Sequence, residues 1–179
     1  MASRDEDFMQ FVRDRSLALR RTAYLLCGSW ATGDDLVQEA LAKVYVAWPR
    51  ISSPAAVESY TRTTMLRTYL NHQRKYAREV TLSAVPERPV DDRDTALTVT
   101  LSGLLRELPS KQRAVLVLRF YQDLSVPQIA TELGIPEGTV KSQLSRGLAT
   151  MRAQLGEPDA GDFTDPTDPT DPTDQEVIS

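Results

Sequence analysis

Cysteine, histidine and long apolar runs are what this chain has least of. Its 179 residues include one cysteine, Cys27, and one histidine, His72. A lone cysteine closes no internal disulfide. One of each leaves no His/Cys set for a structural zinc and no basis for a Cys–His catalytic pair. That balance is expected of a reduced, cytosolic protein. No stretch approaches the roughly 18 consecutive apolar residues that span a bilayer. The opening Met1-Ala2-Ser3-Arg4-Asp5-Glu6-Asp7 is too acidic and polar for a secretory signal. No period-2 alternation is long enough to make a sheet. A Gly-rich phosphate loop and a Ser-His-Asp set are also missing, and the adjacent Asp34 and Asp35 do not share a helix face. The sequence therefore predicts no catalytic residues, no metal ligands and no cofactor.

What is present is a soluble composition, 41% hydrophobic and 26% charged, in a length that suits one ordinary domain or two small ones. The net charge of −4 hides an asymmetry. Residues 1–78 carry 12 basic and 8 acidic side chains, residues 79–99 carry 2 and 5, residues 100–155 carry 7 and 4, and residues 156–179 carry 0 and 8. Two mildly basic blocks are separated by an acidic stretch and followed by an acidic tail. Such blocks permit two nucleic-acid-facing modules despite a pI near 5.1. They also fit ordinary surface charge.

Helical periodicity dominates both blocks. Phe8, Phe11, Val12, Leu17, Leu19, Ala23, Leu25 and Leu26 recur at roughly helical spacing. Gly28 and Gly33 are expected to bracket a turn, with Thr32 and Asp35 as a weak capping box. Leu36, Val37, Ala40, Leu41, Val44, Tyr45 and Trp48 then form one apolar stripe that Pro49 ends. A further helix is predicted from about Ala55 to Ala77, its C-terminal end basic. Residues 79–96, with Pro86, Pro89 and several acids, read as a flexible linker. After it, Leu97 to Leu108 and Gln112 to Tyr121 predict two more helices. The repeat Thr164-Asp165-Pro166-Thr167-Asp168-Pro169-Thr170-Asp171-Pro172-Thr173-Asp174 places proline at every third residue among repelling acids, and predicts a disordered or polyproline-like tail over 156–179.

Residues 125–155 carry the sharpest local pattern. Ser125 is a good N-cap and Gln128 completes a capping box. Val126, Ile129, Ala130 and Leu133 line one face of a short helix. Gly134 stands where the chain must reverse through positive φ, Ile135 anchors the turn, and Pro136 suits the first turn of the next helix. That helix is expected to bury Val140, Leu144, Leu148, Met151 and Leu155. Its other face offers Glu137, Thr139, Lys141, Ser142, Gln143, Ser145 and Arg146. This is a helix-turn-helix pattern whose polar, partly basic face fits a DNA major groove. An ordinary helical hairpin with a solvated face fits the same residues.

The stretch from Leu108 to Leu155, LPSKQRAVLVLRFYQDLSVPQIATELGIPEGTVKSQLSRGLATMRAQL, resembles the sigma-4 domain of bacterial RNA polymerase sigma factors, most closely the extracytoplasmic-function class. Upstream, DDLVQEALAKVYVAW (Asp34 to Trp48) resembles that class's sigma-2 helix that docks on the polymerase clamp. The two motifs stand in the family's order with a linker between. The resemblance implies an all-α architecture: a sigma-2-like domain over 8–78, a linker over 79–96, a sigma-4-like domain over 97–155 and the tail beyond. It implies a sigma factor that binds core RNA polymerase and directs promoter-specific initiation. Its expected partners are core polymerase and promoter DNA, with an anti-sigma factor as a candidate third. The alternative is a helix-turn-helix regulator of the response-regulator type, but residues 1–78 show no strands for its receiver domain.

Matching positions then acquire expected roles. Asp34, Asp35, Leu36, Gln38, Glu39 and Lys43 match the polymerase-binding helix. The helix from Ser59 to Arg78 resembles the reader of the −10 element, which captures a melted single strand. That task needs stacking surfaces and cations along the backbone. Tyr60, Arg62, Arg67, Asn71, Arg74, Lys75 and Arg78 are the expected contacts, and Tyr69 and Tyr76 are further candidates for stacking or for core. Thr139, Lys141, Ser142, Gln143, Ser145 and Arg146 match the −35 recognition helix. Arg67 stands where many relatives have Asn, and Asn71 where they have Asp. Gln143 often replaces Arg and Ser145 His, so fewer phosphate contacts and a shallower salt dependence are expected.

Overall fold

A computed structural model describes residues 4–51, 53–79 and 96–156. The predicted linker core and the Thr-Asp-Pro tail lie outside the described residues. Every element described is helical: α1 (Arg4–Cys27), α2 (Trp30–Ala47), a 3-10 turn (Trp48–Arg50), α3 (Pro54–Glu79), α4 (Ala96–Arg106), α5 (Ser110–Leu116) running into a π-helical turn (Val117–Tyr121), α6 (Val126–Leu133) and α7 (Glu137–Gln154). The chain divides into two units between Ser110 and Lys111.

In the N-terminal unit α2 packs against both α1 and α3. Helix α1 begins with Asp5, Glu6 and Asp7 in its first turn, where carboxylates favour the positive end of the helix dipole. It ends at Gly28, whose φ of +69° suits a residue without Cβ. The cap of α2 is Ser29, whose hydroxyl accepts from the Thr32 backbone N–H. Residues 30–33 are thus the first turn of α2, not the bracketed loop that the two glycines predicted. Gly33 instead lets the helices approach: a Cβ there would lie 3.2 Å from the Tyr24 backbone nitrogen. Leu26, Leu36, Val44, Met65, Leu66 and Tyr69 fill the core. An aromatic group closes one end, with Phe8 edge-on to Tyr45 and Trp48 at centroid distances of 5.0 and 5.2 Å. Ser53 caps α3 through the Ala56 N–H. Leu17, which the periodicity placed with the apolar set, faces solvent.

Helix α4 belongs with this unit by contact. It packs against α1, where the buried Ser102 hydroxyl lies 3.2 Å from the Tyr24 hydroxyl. A Cβ on Gly28 would meet the Arg106 side chain. The sequence grouped the α4 residues with the C-terminal domain starting at 97, so the division by contact falls later in the chain than the expected boundary.

In the C-terminal unit, Val115, Leu118, Val126, Ile129, Val140 and Leu144 form the core. The Ser125 capping box is complete: its N–H donates to Gln128 Oε1 at 2.8 Å and its hydroxyl accepts from the Gln128 N–H at 3.4 Å. Gly134 takes φ +65°, and the Ile135 N–H returns to the Ala130 carbonyl. Pro136 is the N-cap of α7, one place before the first turn. Leu148 and Met151 are only half-buried and Leu155 is exposed, because α7 runs on past its supporting helices. Gly147 admits Leu116 instead, whose Cδ1 would sit 2.9 Å from a Cβ at that position.

Two stability measurements check this packing. Leu66→Ala should cost about 2–5 kcal/mol in denaturant unfolding, whereas Leu17→Ala at its exposed site should stay within about 0.5 kcal/mol. Gly134→Ala should cost about 1–2 kcal/mol in the C-terminal unit, because alanine must enter the left-handed region.

Candidate functional site

Helix α2 buries one side and leaves the opposite side open. Asp35, Gln38, Ala42 and Val46 are exposed and recur at i, i+3, i+7 and i+11, a single stripe on the helix surface. Val46 is 76% exposed and, with Ala42, makes the C-terminal half of the stripe apolar. The other expected docking residues point elsewhere. Leu36 is 1% exposed and part of the core, where its side chain offers no surface to a partner. Asp34 turns toward α1 and accepts two hydrogen bonds from Arg20, at 2.6 and 2.8 Å. The Arg20 guanidinium also lies over the Trp30 ring, which stacks on Tyr24. Asp34 therefore clasps α1 to α2.

Glu39 and Lys43 lie on the side of α2 that faces α3. Lys43 Nζ donates to Glu39 Oε1 at 2.7 Å and to Thr68 Oγ1 at 2.9 Å, while His72 Nε2 reaches Glu39 Oε2 at 2.7 Å. The Lys43 hydrogen bond, with the charges of His72 and Lys43, holds the Glu39 carboxyl below the usual carboxylate range against a smaller opposing effect of burial. Glu39, Lys43 and His72 are each between 42% and 48% exposed in their side chains. Pairs that accessible contribute about 0–1 kcal/mol, enough to orient side chains and little enough to be exchanged.

On α3, Tyr60, Arg67, Asn71, Arg74 and Arg78 are all exposed. Their spacing of 7, 4, 3 and 4 residues keeps them on one face, about 27 Å long at 1.5 Å per residue. Lys75 is exposed beside that stripe, and Arg74 donates to Asn71 Oδ1 at 3.0 Å. Arg62 is half-buried and off the stripe. Of the tyrosines, Tyr69 is 1% exposed and belongs to the core, whereas Tyr60 and Tyr76 face solvent.

On α7, Thr139 and Arg146 are exposed and Ser142 half-buried between them, at i, i+3 and i+7. The Ser142 hydroxyl donates to the Thr139 carbonyl at 3.0 Å. Lys141, Gln143 and Ser145 flank this line, each half-buried. The Ser125 cap and the Gly134 turn fix where α7 starts, so the cap geometry positions the first turns that a groove would receive.

Sequence reasoning did not single out Val46, His72 as a partner of Glu39, or the exposed Phe120 and Tyr121 on the π-helical turn. The π turn rotates Phe120 outward to 58% exposure with the Arg119 guanidinium 5.9 Å from its ring centre. Periodicity had placed Phe120 with the apolar helix residues. Among the described residues, no group of three or more His, Cys, Asp or Glu could hold a metal ion, and no helix is long and apolar enough to cross a membrane.

Comparison with known proteins gives the family of both units. Residues 11–79 match the family described as sigma-70 region 2, and residues 99–151 match sigma-70 region 4. The RNA polymerase sigma-E factor of Streptomyces coelicolor is 37% identical over 152 residues, covering 83% of this chain and 86% of that protein. The ECF RNA polymerase sigma factor SigL of Mycobacterium tuberculosis is 31% identical, covering 80% of this chain and 86% of its own. In fold, the chain is similar to the sigma factor RpoE solved with the anti-sigma factor NepR from Bartonella quintana, with a TM-score of 0.66 and 24% identity over 84% of this chain and 97% of that one. With a region-2 match, a region-4 match and curated relatives spanning most of its length, the chain belongs to the sigma-70 family, as an extracytoplasmic-function RNA polymerase sigma factor.

Proposed function

We propose that this sigma factor brings core RNA polymerase to promoters through three separate helix faces, and that it acts by recognition, not by catalysis. The stripe on α2 through Asp35, Gln38, Ala42 and Val46, with Glu39 at its edge, docks on core polymerase. The stripe on α3 through Tyr60, Arg67, Asn71, Arg74, Lys75 and Arg78 captures the melted −10 strand. The face of α7 through Thr139, Lys141, Ser142, Gln143, Ser145 and Arg146 reads the −35 element. The single observation that carries the reading is the α3 stripe: cations, an amide and an aromatic ring share one exposed face, the combination that follows a single-stranded backbone and stacks a base.

The roles divide by chemistry. Short hydroxyl and amide side chains on α7 suit base edges in a major groove, and Lys141 and Arg146 suit phosphates. With only those two cations among the six proposed α7 contacts, this helix alone would bind weakly. Polymerase holding both DNA-facing modules would raise the effective concentration of the second contact without new interactions. Asp34 and Leu36 support the docking helix from within, one by clasping α1 and the other by packing. The family and the absence of a membrane-crossing helix among the described residues support action in the cytoplasm. Two structural neighbours were solved with partners, RpoE with the anti-sigma factor NepR and CnrH with the cytosolic domain of CnrY. An anti-sigma protein covering one of these faces is the third partner we propose.

Run-off transcription with core polymerase tests the scheme. Asp35→Lys should weaken co-purification with core polymerase about tenfold, by placing like charge where the partner expects an acid; unchanged recovery would remove α2 from the interface. Lys141→Ala with Arg146→Ala should lower transcription that depends on the −35 element and reduce the salt slope of duplex binding by about 2. Arg67→Ala with Arg74→Ala should weaken capture of a −10 single strand while leaving −35 duplex binding intact.

A further inference from the structure

The docking face and the promoter-facing helix share one carboxylate. Glu39 stands at the edge of the proposed polymerase-binding stripe, yet both of its oxygens are engaged: Oε1 by Lys43 and Oε2 by His72 of α3. Lys43 extends the same network to Thr68 on α3. A polymerase cation that approaches either oxygen along the direction now held by Lys43 or His72 must displace that donor. The side chains are open enough to water for that exchange. Asp35 and Gln38 sit on the same face, where a partner already anchored there would arrive beside Glu39.

We propose that Glu39 is an exchangeable acceptor and that His72, the sole histidine, restrains polymerase docking by holding it. In the free chain the carboxylate ties α2 to α3 through His72. On docking, a polymerase cation takes over the Oε2 site and the His72 contact is lost. That contact lies one residue from Asn71 and two from Arg74, so its loss occurs within the part of α3 assigned to the −10 strand. His72 is a positioning residue in this scheme: it acts on docking through Glu39 and touches neither polymerase nor DNA. The groups at the site are Glu39 and Lys43 from α2 and His72 and Thr68 from α3. The imidazole pairs as a cation only when protonated.

The inference rests on α2 being the docking face, and a mutant cycle separates the two ideas. Affinity of the full chain for purified core polymerase is measured for the wild type, His72→Ala, Glu39→Gln and the double variant. His72→Ala should bind about threefold more tightly, the scale of releasing one exposed ion pair, and His72→Gln should fall between it and the wild type. In the Glu39→Gln background the His72 substitution should have no effect. Weaker binding by Glu39→Gln with no gain in His72→Ala would overturn the competition and leave the docking face standing. Unchanged binding by both Glu39→Gln and Asp35→Lys would overturn the docking face itself. A gain in His72→Ala that persists without Glu39 would also defeat the proposal, since the histidine would then act by another route.

Discussion

An amphipathic helix can bury only one side, and in this protein the side left over is the one for which we propose a task. Helix α2 buries Leu36, Val37, Ala40 and Val44; α3 buries Met65, Leu66 and Tyr69; α7 buries Val140 and Leu144. Each burial direction fixes by rotation which residues face water. The acidic and apolar stripe of α2, the cationic stripe of α3 and the polar face of α7 are complements of their apolar stripes. Shifting any of these helices by one residue would turn its outward face by about 100° and dissolve the stripe.

Polar contacts then refine what burial leaves coarse. Arg20 and Asp34 tie α1 to α2 along one flank, and Lys43, Glu39, His72 and Thr68 tie α2 to α3 along the other. The flanks differ in consequence. The Arg20 fork grips both oxygens of Asp34 with an indole beneath it, a preorganised and geometrically demanding contact. The Glu39 network is made of flexible, water-accessible groups and sits beside the face proposed to meet polymerase. One flank suits permanent packing, the other exchange.

Helix α4 shows how sequence grouping and spatial grouping can differ. The region-4 match starts at residue 99, so by family pattern α4 goes with the C-terminal helices. By contact it goes with α1, through Tyr24 and Ser102 and through the Arg106 side chain at Gly28. Small polar and apolar side chains on a short helix can satisfy more than one neighbour, and local sequence carries no mark of which one it takes.

Much of the fold was legible in the residues. The Ser125–Gln128 capping box, the left-handed Gly134 and the stop of α2 near Pro49 follow from local stereochemistry, which acts within a few residues and needs no tertiary context. The positions Asp35, Gln38, Arg67 and Arg74 came from the family resemblance, and helical period by itself also marked Arg146 as outward-facing. What could not be read there were the contacts between helices. Leu36 was expected at the polymerase-binding helix and is buried in the core; Asp34 is Arg20's partner as well as a residue expected to dock; Gly33 was expected at the edge of a turn and is a place of close approach between helices. Period and capping are written into consecutive residues, so the chain alone determined its helices and their outward faces. Which flank of each face is engaged depends on side chains 14 to 78 positions away, as for Arg20 with Asp34 and Tyr24 with Ser102, and only the assembled helices bring those together.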